Sequence, residues 1–528
     1  MSQEYNSLIA KYTGELVPPP LNDKVIGGMW ILVKKLNEFN EVSRYKARWV
    51  CFANHQEFQK HYFETYASKA RNESFKVMLR LTVQRNLHIF QFDVETAFFY
   101  GVMDAPVYIS QVACFEQKGR ENWVWKLNKS LYGTKQASRQ WQKHLNNTLQ
   151  QLGFTPSISD SSLYFNQSSS IIIHIYVDDG LIFGELREEI IQFMEDLKKN
   201  YTLKVKERPS QHLGYCLDWK PDGSVLIHQQ PFCEKILEEF KMLDSKIVLS
   251  PAPMNLHEVV SQDSALVDFH KMQKAIGMLN FLALHTRPDI TFTTNLLAQF
   301  ARKPNASHWS AVKNLLRYLK GTQYLGIHHT QSNNPHQQMG WEYADYAMAL
   351  NTKKSTSSVI ICLFDNPIYW KKKKRSIVVK NTSEAEMIAV NLCLKQMRWL
   401  SNLILDIYIH INKPIIYNDN SGTVVYSKNS IINIQSRHVD IKYKYINDLV
   451  DKNLISVVPI STDLMLADML TKTLGPAEVA QANDQLRMIY SDLRRSVGKY
   501  ANQNISKMKN TIQKSQNIKT EIFFFKLN

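Results

Sequence analysis

The string Ile171-Ile-Ile-His-Ile-Tyr-Val-Asp-Asp-Gly-Leu-Ile-Phe-Gly184 sets two adjacent carboxylates, Asp178 and Asp179, between two runs of strand-forming apolar residues. The runs demand burial, whereas two aspartates repel each other and are costly in apolar company. A buried hairpin with its acids at the tip meets both demands, most readily when the acids share a cation. Asp-Gly between apolar runs is also an ordinary hairpin-turn signal. From this string alone, a solvated turn that carries two acids is an equally open reading.

A second acid shifts the balance. Asp93 lies in Ile89-Phe-Gln-Phe-Asp-Val-Glu-Thr-Ala-Phe-Phe-Tyr-Gly101, again at the end of an apolar strand. An acid that ends one strand and two acids on a hairpin can meet on a shared sheet. Three carboxylates there would hold two Mg²⁺ ions ~3.5–4 Å apart, the arrangement used for in-line phosphoryl transfer. Magnesium suits hard oxygen ligands whose shell nucleotide phosphates complete, with manganese as a substitute.

The chain has 528 residues, too many for one core, so two to four domains are expected. Lys and Arg number 64 against 48 Asp and Glu, giving a net charge of +16. That excess favours a polyanionic partner, nucleic acid first; a basic soluble protein with a charged tail is the plainer alternative. Cys51, Cys114, Cys216, Cys233, Cys362 and Cys393 form no C-x-x-C pair. They read as buried thiols in a reducing compartment rather than as a zinc ribbon or a disulfide framework. Met1–Lys11 is mostly polar and does not read as a secretory leader. No apolar run approaches the roughly 20 residues that span a bilayer.

Residues 1–24, with Pro18-Pro-Pro20, read as a lead-in segment. Strands are expected at Met29–Val33, Arg44–Phe52 and Leu87–Phe92, and Ser74 is placed to cap a helix with Phe75, Met78 and Leu79 inward. Lys129–Gln150 reads as a turn and then a helix, Leu186–Asn200 as a charged helix, and Pro221-Asp-Gly223 as a turn between strands. Ser307–Lys320 is amphipathic, with Ser307 as its N-cap and Gly321 as its stop. The polar stretch 323–339 reads as a domain boundary. A second α/β unit follows, with strands near Ser357–Phe364 and Pro414–Tyr417 and a helix over Ser383–Ile404. Beyond Gly475 the pattern decays into a basic tail containing Arg494, Arg495 and Lys499.

Tyr176-Val-Asp-Asp179 resembles the palm motif of reverse transcriptases. Around it, Arg44-Tyr-Lys-Ala-Arg48, Asp93-Val-Glu-Thr-Ala-Phe98, Lys129-Ser-Leu-Tyr-Gly-Thr-Lys-Gln-Ala-Ser-Arg-Gln-Trp141, Thr286-Arg-Pro-Asp289 and Arg317-Tyr-Leu-Lys-Gly-Thr322 resemble the copia-type LTR retrotransposon polymerase, in order along the chain. The resemblance implies Asp93, Asp178 and Asp179 as catalytic metal ligands. It implies Lys46 and Arg48 as contacts to an incoming triphosphate, and Phe98 as an aromatic gate against a 2′-hydroxyl. Gln136 is implied on the 3′ side of the nucleotide, Tyr176 as a substrate contact, and Leu213-Gly214 as a primer grip. Taken without the resemblance, the cations read as exposed strand residues, Phe98 as core and Leu213-Gly214 as a turn. His174 reads as a packed histidine. Ser138 stands where proline is common and Met29 where lysine is usual.

Residues 340–475 resemble the RNase H domain that follows such polymerases, through Lys354-Ser-Thr-Ser357, Thr382-Ser-Glu-Ala-Glu386, Tyr417-Asn-Asp-Asn420, Arg437-His-Val-Asp440 and Leu466-Ala-Asp-Met-Leu-Thr-Lys472. The resemblance implies Glu386, Asp419 and Asp468 as catalytic acids and metal ligands, with His438 and Asp440 in a supporting role. The family reads Gly-Tyr-Ser-Asp-Ala-Asp-Trp at its first strand, and this chain reads Gly340-Trp-Glu-Tyr-Ala-Asp-Tyr346. Tyr343 thus stands in the place of the first acid, and a phenol with a pKa of roughly 10 is no carboxylate. By strand alternation Glu342 points to the opposite face, while Asp345 shares the face of Tyr343 and is the candidate substitute. The basic run Tyr369-Trp-Lys-Lys-Lys-Lys-Arg375 reads either as a hybrid-backbone contact or as a solvated face.

These readings together imply an α+β right-hand polymerase with fingers, palm and thumb, followed by an α/β RNase H-like domain. The expected divisions are 1–24, fingers and palm at 25–200, thumb and connection at 201–335, the RNase H-like domain at 336–475 and the tail at 476–528. The implied activity is RNA-directed DNA synthesis with an impaired RNase H. The implied partners are an RNA template, a DNA primer, their hybrid and dNTPs, with no membrane. The expected location is intracellular, in a cytoplasmic virus-like particle, with the nucleus as a second site, and the chain is expected to be part of a longer polyprotein or a truncated copy. A catalytically inactive nucleic-acid-binding relic is the alternative. A DNA-templated or telomerase-like polymerase fits the RNase H-like unit poorly.

Overall fold

A computed structural model describes residues 1–36, 42–345, 355–375, 382–428 and 437–491. It divides into two compact units: Met1–Ser74 with His88–Arg208, and Phe75–Leu87 with the chain from Pro209 onward. The chain passes between the units after Ser74, Leu87 and Arg208. No division occurs at 323–339, because the strand Leu325–His329 pairs with Val225–His228 on one side and Met488–Tyr490 on the other.

The first unit is organised by a six-stranded sheet in the order Leu203–Glu207, His88–Val94, Asp179–Gly184, Ile172–Tyr176, Leu163–Phe165, Thr155–Pro156. The helices Ala137–Gln151 and Arg187–Lys198 bury Trp141, Leu145, Leu149, Ile190, Phe193 and Leu197 in one core with Phe90, Phe92, Ile173 and Ile182 of the sheet. Alternation along His88–Val94 puts Phe90 and Phe92 into that core and leaves Asp93 exposed on the opposite face. Gly180 is paired with Phe92, and a Cβ there would sit 2.2 Å from the phenylalanine ring. A four-stranded sheet and the hairpin Gly28–Leu36/Val42–Cys51 complete the unit. The lead-in segment is part of it: Ser2–Ala10 is a helix, and Gly14–Val17 pairs with Val124–Leu127. Ser74 lies inside the helix Asn72–Arg85 rather than capping it, and its hydroxyl donates to Asp160 Oδ2 at 2.5 Å.

The second unit holds two five-stranded sheets and a helical cluster. One sheet runs Gln211–His212, Tyr215–Trp219, Val225–His228, Leu325–His329, Met488–Tyr490, with Leu213-Gly214 as a two-residue turn at φ +48° and +82°. The cluster packs Leu237, Leu256, Met272, Leu279, Leu297 and Leu315 from five helices. Its last helix, Ala306–Gly321, is capped by Asn305 rather than Ser307: Asn305 Oδ1 accepts from the His308 amide at 3.0 Å, and His308 Nδ1 accepts from the Asn305 amide at 3.0 Å. The other sheet runs Asn366–Lys374, Thr356–Leu363, Gln338–Asp345, Ile415–Asn418, Ser456–Pro459. Its first three strands are antiparallel, and the last two run parallel to Gln338–Asp345. The helix Thr382–Asp406 lies against it; a Cβ on Gly340 would sit 2.5 Å from Cys393 Sγ of that helix.

The expected tail is folded at its start, with Pro476–Gln485 helical and Met488–Tyr490 in a sheet. Arg494, Arg495 and Lys499 lie outside the described residues, as do the side chains of His438 and Asp440. Cys51, Cys233, Cys362 and Cys393 are buried, but Cys216 is half-buried and Cys114 exposed, so the expectation of six buried thiols fails there. Among the described residues no helix is long and apolar enough to cross a membrane.

Gly180→Ala should therefore destabilise the first unit by about 1–3 kcal/mol, because Phe92 must leave its rotamer to admit a methyl group. Denaturant unfolding checks this, and a parent-like midpoint would show that the strand pair tolerates the clash.

Candidate polymerase and nuclease sites

Pairing between the strands sets Asp179 directly opposite Asp93, and Lys204 directly opposite Asp93 on its other side. Direct cross-strand partners share a face, so Lys204, Asp93 and Asp179 form one row. Tyr176 pairs with Asp179, which leaves Val177 and Asp178 as a two-residue loop. Val177 sits at φ +60°, a left-handed conformation that is strained for a β-branched residue. Two bonds hold it: the buried Trp141 indole donates to the Val177 carbonyl at 2.6 Å, and the Val94 amide donates to the Asp178 carbonyl at 2.9 Å.

Asp93 and Asp178 line a polar cleft of about 150 Å³, together with Lys46, Arg44, Tyr132 and Lys204. Desolvation by the cleft walls lifts the Asp93 carboxyl above the ordinary range; the charges of Asp178 and Asp179 add to this, and Lys46 and Lys204 oppose it. Direct juxtaposition of like charges is destabilising, so the pair calls for a counter-cation. Among the described residues, however, no three His, Cys, Asp or Glu side chains converge closely enough to hold a metal by themselves. The donor set still suits magnesium, which binds through one or two carboxylates and takes its remaining ligands from water and substrate phosphates.

The other implied contacts fall at different depths. Tyr176 is 37% exposed and on the acid face. Arg48 stands behind Lys46, its guanidinium 5.1 Å above the Tyr132 ring, with Nε buried and without a hydrogen-bond partner. Phe98 packs edge-on against Tyr132, with ring centroids 5.2 Å apart. Gln136 does not reach the cleft. It is fully buried, donating to the His61 carbonyl at 2.9 Å and accepting from Gln56 at 3.1 Å. His174 is buried, as expected of a packed residue.

Sequence reading missed Gln91, whose amide donates to Asp179 Oδ1 at 2.9 Å. Its place two residues before Asp93, on the same strand face, was the available signal. Tyr132 was quoted within a matching string but given no role, and burial pushes its phenol up to about 12. Lys204 and Glu4 reach the cleft through pairing and helix placement that no local pattern announces.

In the second unit the alternation along Gln338–Asp345 holds as expected, with Glu342 buried and Tyr343 and Asp345 half-buried. Asp345 does not join the other acids. Its charged neighbour is Lys372, and burial holds it near about 6. Tyr343 faces the charges of Asp468 and Asp419 and is itself pushed up to about 12, chiefly by burial. Asp419 accepts from the Thr462 hydroxyl at 3.3 Å, and Asp468 is ion-paired with Lys472 at 2.5 Å.

The face opposite Tyr343 holds the surprise. Glu342 and Glu386 are both buried, and the Asn418 amide donates to both carboxyl groups. Glu386 also accepts from the Ala344 amide at 3.2 Å. Burial raises both acids, Glu386 to about 8; the charge of Glu386 adds to this at Glu342, and that of Asp419 adds at both. The basic run is partly spent on packing: Lys372 lies 4.1 Å over the Phe292 ring, and the Trp370 indole donates to the Ala283 carbonyl at 2.6 Å, leaving Lys371 and Lys373 exposed.

Residues 11–254 match the family described as reverse transcriptase (RNA-dependent DNA polymerase). This region belongs to the reverse transcriptase family. The chain is 34% identical over 479 residues to the Retrovirus-related Pol polyprotein from transposon RE1 of Arabidopsis thaliana, covering 90% of this chain and 32% of that relative. The corresponding RE2 protein of the same plant is 33% identical over 90% of this chain and 33% of its own length. The polyprotein from transposon TNT 1-94 of Nicotiana tabacum is 30% identical over 89% of this chain and 36% of its own length. The chain thus spans about a third of the length of these curated relatives. The reverse transcriptase region contains every residue of the first cleft, from Arg44 to Lys204, except Met1 and those contributed by the helix Ser2–Ala10.

A carboxyl whose folded-state pKa is raised stabilises most below its ordinary value, 4.5 for Glu386, and loses that contribution as pH rises through about 8. Stability should therefore fall from pH 5 to pH 9. Glu342→Gln should flatten the fall and gain on the order of 1–3 kcal/mol at the alkaline end. Thermal unfolding across that range tests it; an unchanged slope in the variant would sink this account.

Proposed function

We propose that the chain is an RNA-directed DNA polymerase of a copia-type retrotransposon, with a right-hand fold of fingers, palm and thumb. The observation that carries this is the register pairing Asp93 with Asp179 beside Asp178, at a cleft walled by Lys46 and Arg44. Membership of residues 11–254 in the reverse transcriptase family supports it. Asp93, Asp178 and Asp179 would hold two magnesium ions, which when bound lower the pKa of a primer 3′-hydroxyl and stabilise leaving pyrophosphate. The chain's own residues do the rest. Lys46, with Arg48 behind it, draws in the triphosphate of a dNTP. Tyr132 and Phe98 form the aromatic wall, with Phe98 set against a 2′-hydroxyl. Gln91 orients Asp179, and Trp141 keeps the Val177–Asp178 loop from relaxing. An RNA template and DNA primer are the implied partners, in an intracellular, particle-associated setting.

The second unit's mixed sheet, with the helix Thr382–Asp406 on one face, supports an RNase H-like layer whose nuclease is impaired. Tyr343 faces the charges of Asp468 and Asp419, Asp345 feels that of Lys372, and Asp468 is engaged by Lys472. Glu386 is tied to the Ala344 and Asn418 amides.

Primer extension on an RNA template with dNTPs and Mg²⁺ should give product, and Asp178→Asn should lower the rate on the order of 10²-fold or more. No extension by the parent would favour the inactive nucleic-acid-binding relic. On a labelled RNA–DNA hybrid the parent should cleave weakly or not at all, whereas Tyr343→Asp should cleave faster. Strong parental cleavage lost in Asp419→Asn would overturn the impaired-nuclease reading.

A further inference from the structure

The helix Ser2–Ala10 carries Glu4 into the wall of the polymerase cleft, beside Arg44 and Lys46. Lys46, Arg48 and Arg44 all act on its carboxylate. Yet Glu4 Oε1 is buried and accepts no hydrogen bond, and desolvation outweighs the cations, so the carboxyl binds protons more tightly than usual. This is an anion that balances charge without forming a directional bond. Arg48 bonds the Tyr132 hydroxyl but keeps a buried Nε that donates to no partner. Lys46 lies between two claims, because it also acts on Asp93. A triphosphate satisfies such a group of cations far better. It brings several charges and many acceptor oxygens, and guanidinium groups grip phosphate through paired N–H donors.

We propose that Glu4 is an intramolecular placeholder for the nucleotide's triphosphate, balancing the charge of Arg44, Lys46 and Arg48 until a nucleotide displaces it. This rests on the polymerase reading of the cleft. Displacement costs the same whichever base or sugar the nucleotide carries. Glu4 therefore weakens the binding of all four dNTPs alike and leaves the chemical step untouched.

Two measurements test it. Calorimetric titration of the magnesium-free chain with inorganic tripolyphosphate should show Glu4→Gln binding roughly three- to fivefold more tightly than the parent, the gain from removing one partly solvated opposing charge. Glu4→Asp, which keeps the charge, should stay with the parent. Glu4→Ala gives the same comparison if the glutamine variant unfolds early. In primer extension, KM for dNTPs should fall by the same factor in Glu4→Gln with kcat unchanged. Equal or weaker tripolyphosphate binding by a folded Glu4→Gln overturns the proposal. If the parent extends no primer, the polymerase reading fails, and the tripolyphosphate comparison still decides the role of Glu4.

Discussion

The acidic cleft of the first unit depends on one register: Asp179 opposite Asp93, with Lys204 completing the row. Strand side chains alternate with a period of two, so a slip of one residue would send Asp179 into the apolar core and Gly180 onto the acid face. Two features fix that register. Gly180 leaves the room that the Phe92 ring fills, and the loop between Tyr176 and Asp179 is too short to take up a slip. The loop bears its cost at Val177, a strained β-branched residue at φ +60°, of the order of 1–3 kcal/mol. Trp141 and Val94 hold it from two elements, so the strain is built into the place where the acids must be aimed.

The two acid sets show opposite solutions to carboxylate repulsion. In the first unit the acids face an open cleft among cations, where a metal and a nucleotide can enter. In the second, Glu342 of the sheet and Glu386 of the helix Thr382–Asp406 are buried together, joined through the Asn418 amide. A sealed pair holds a helix to a sheet well and offers an incoming substrate little.

Asp93, Asp178 and Asp179 were legible because strand alternation and adjacency are local properties. The long elements were also read to within a few residues, since each carries its own periodicity. At Gln136 a matching string does not say whether the side chain is already bonded, as it is to His61 and Gln56. Glu342 was correctly assigned to the face away from Tyr343, but only tertiary packing brings Glu386 to that same face. The segments 2–17 and 476–490 were undervalued because they join sheets through backbone hydrogen bonds that almost any side chain permits. Asn305 was passed over for Ser307, two residues on; either type caps a helix, and the choice is made by where the chain turns.

The strand Met488–Tyr490 forms one border of its sheet and shields Leu325–His329 from solvent on that side. A recombinant piece ending at Gly475, where the hydrophobic pattern fades, would bare the amide and carbonyl groups of that inner strand. Open edges of this kind recruit other chains. The natural place to trim this protein for biochemistry therefore lies past Ser491.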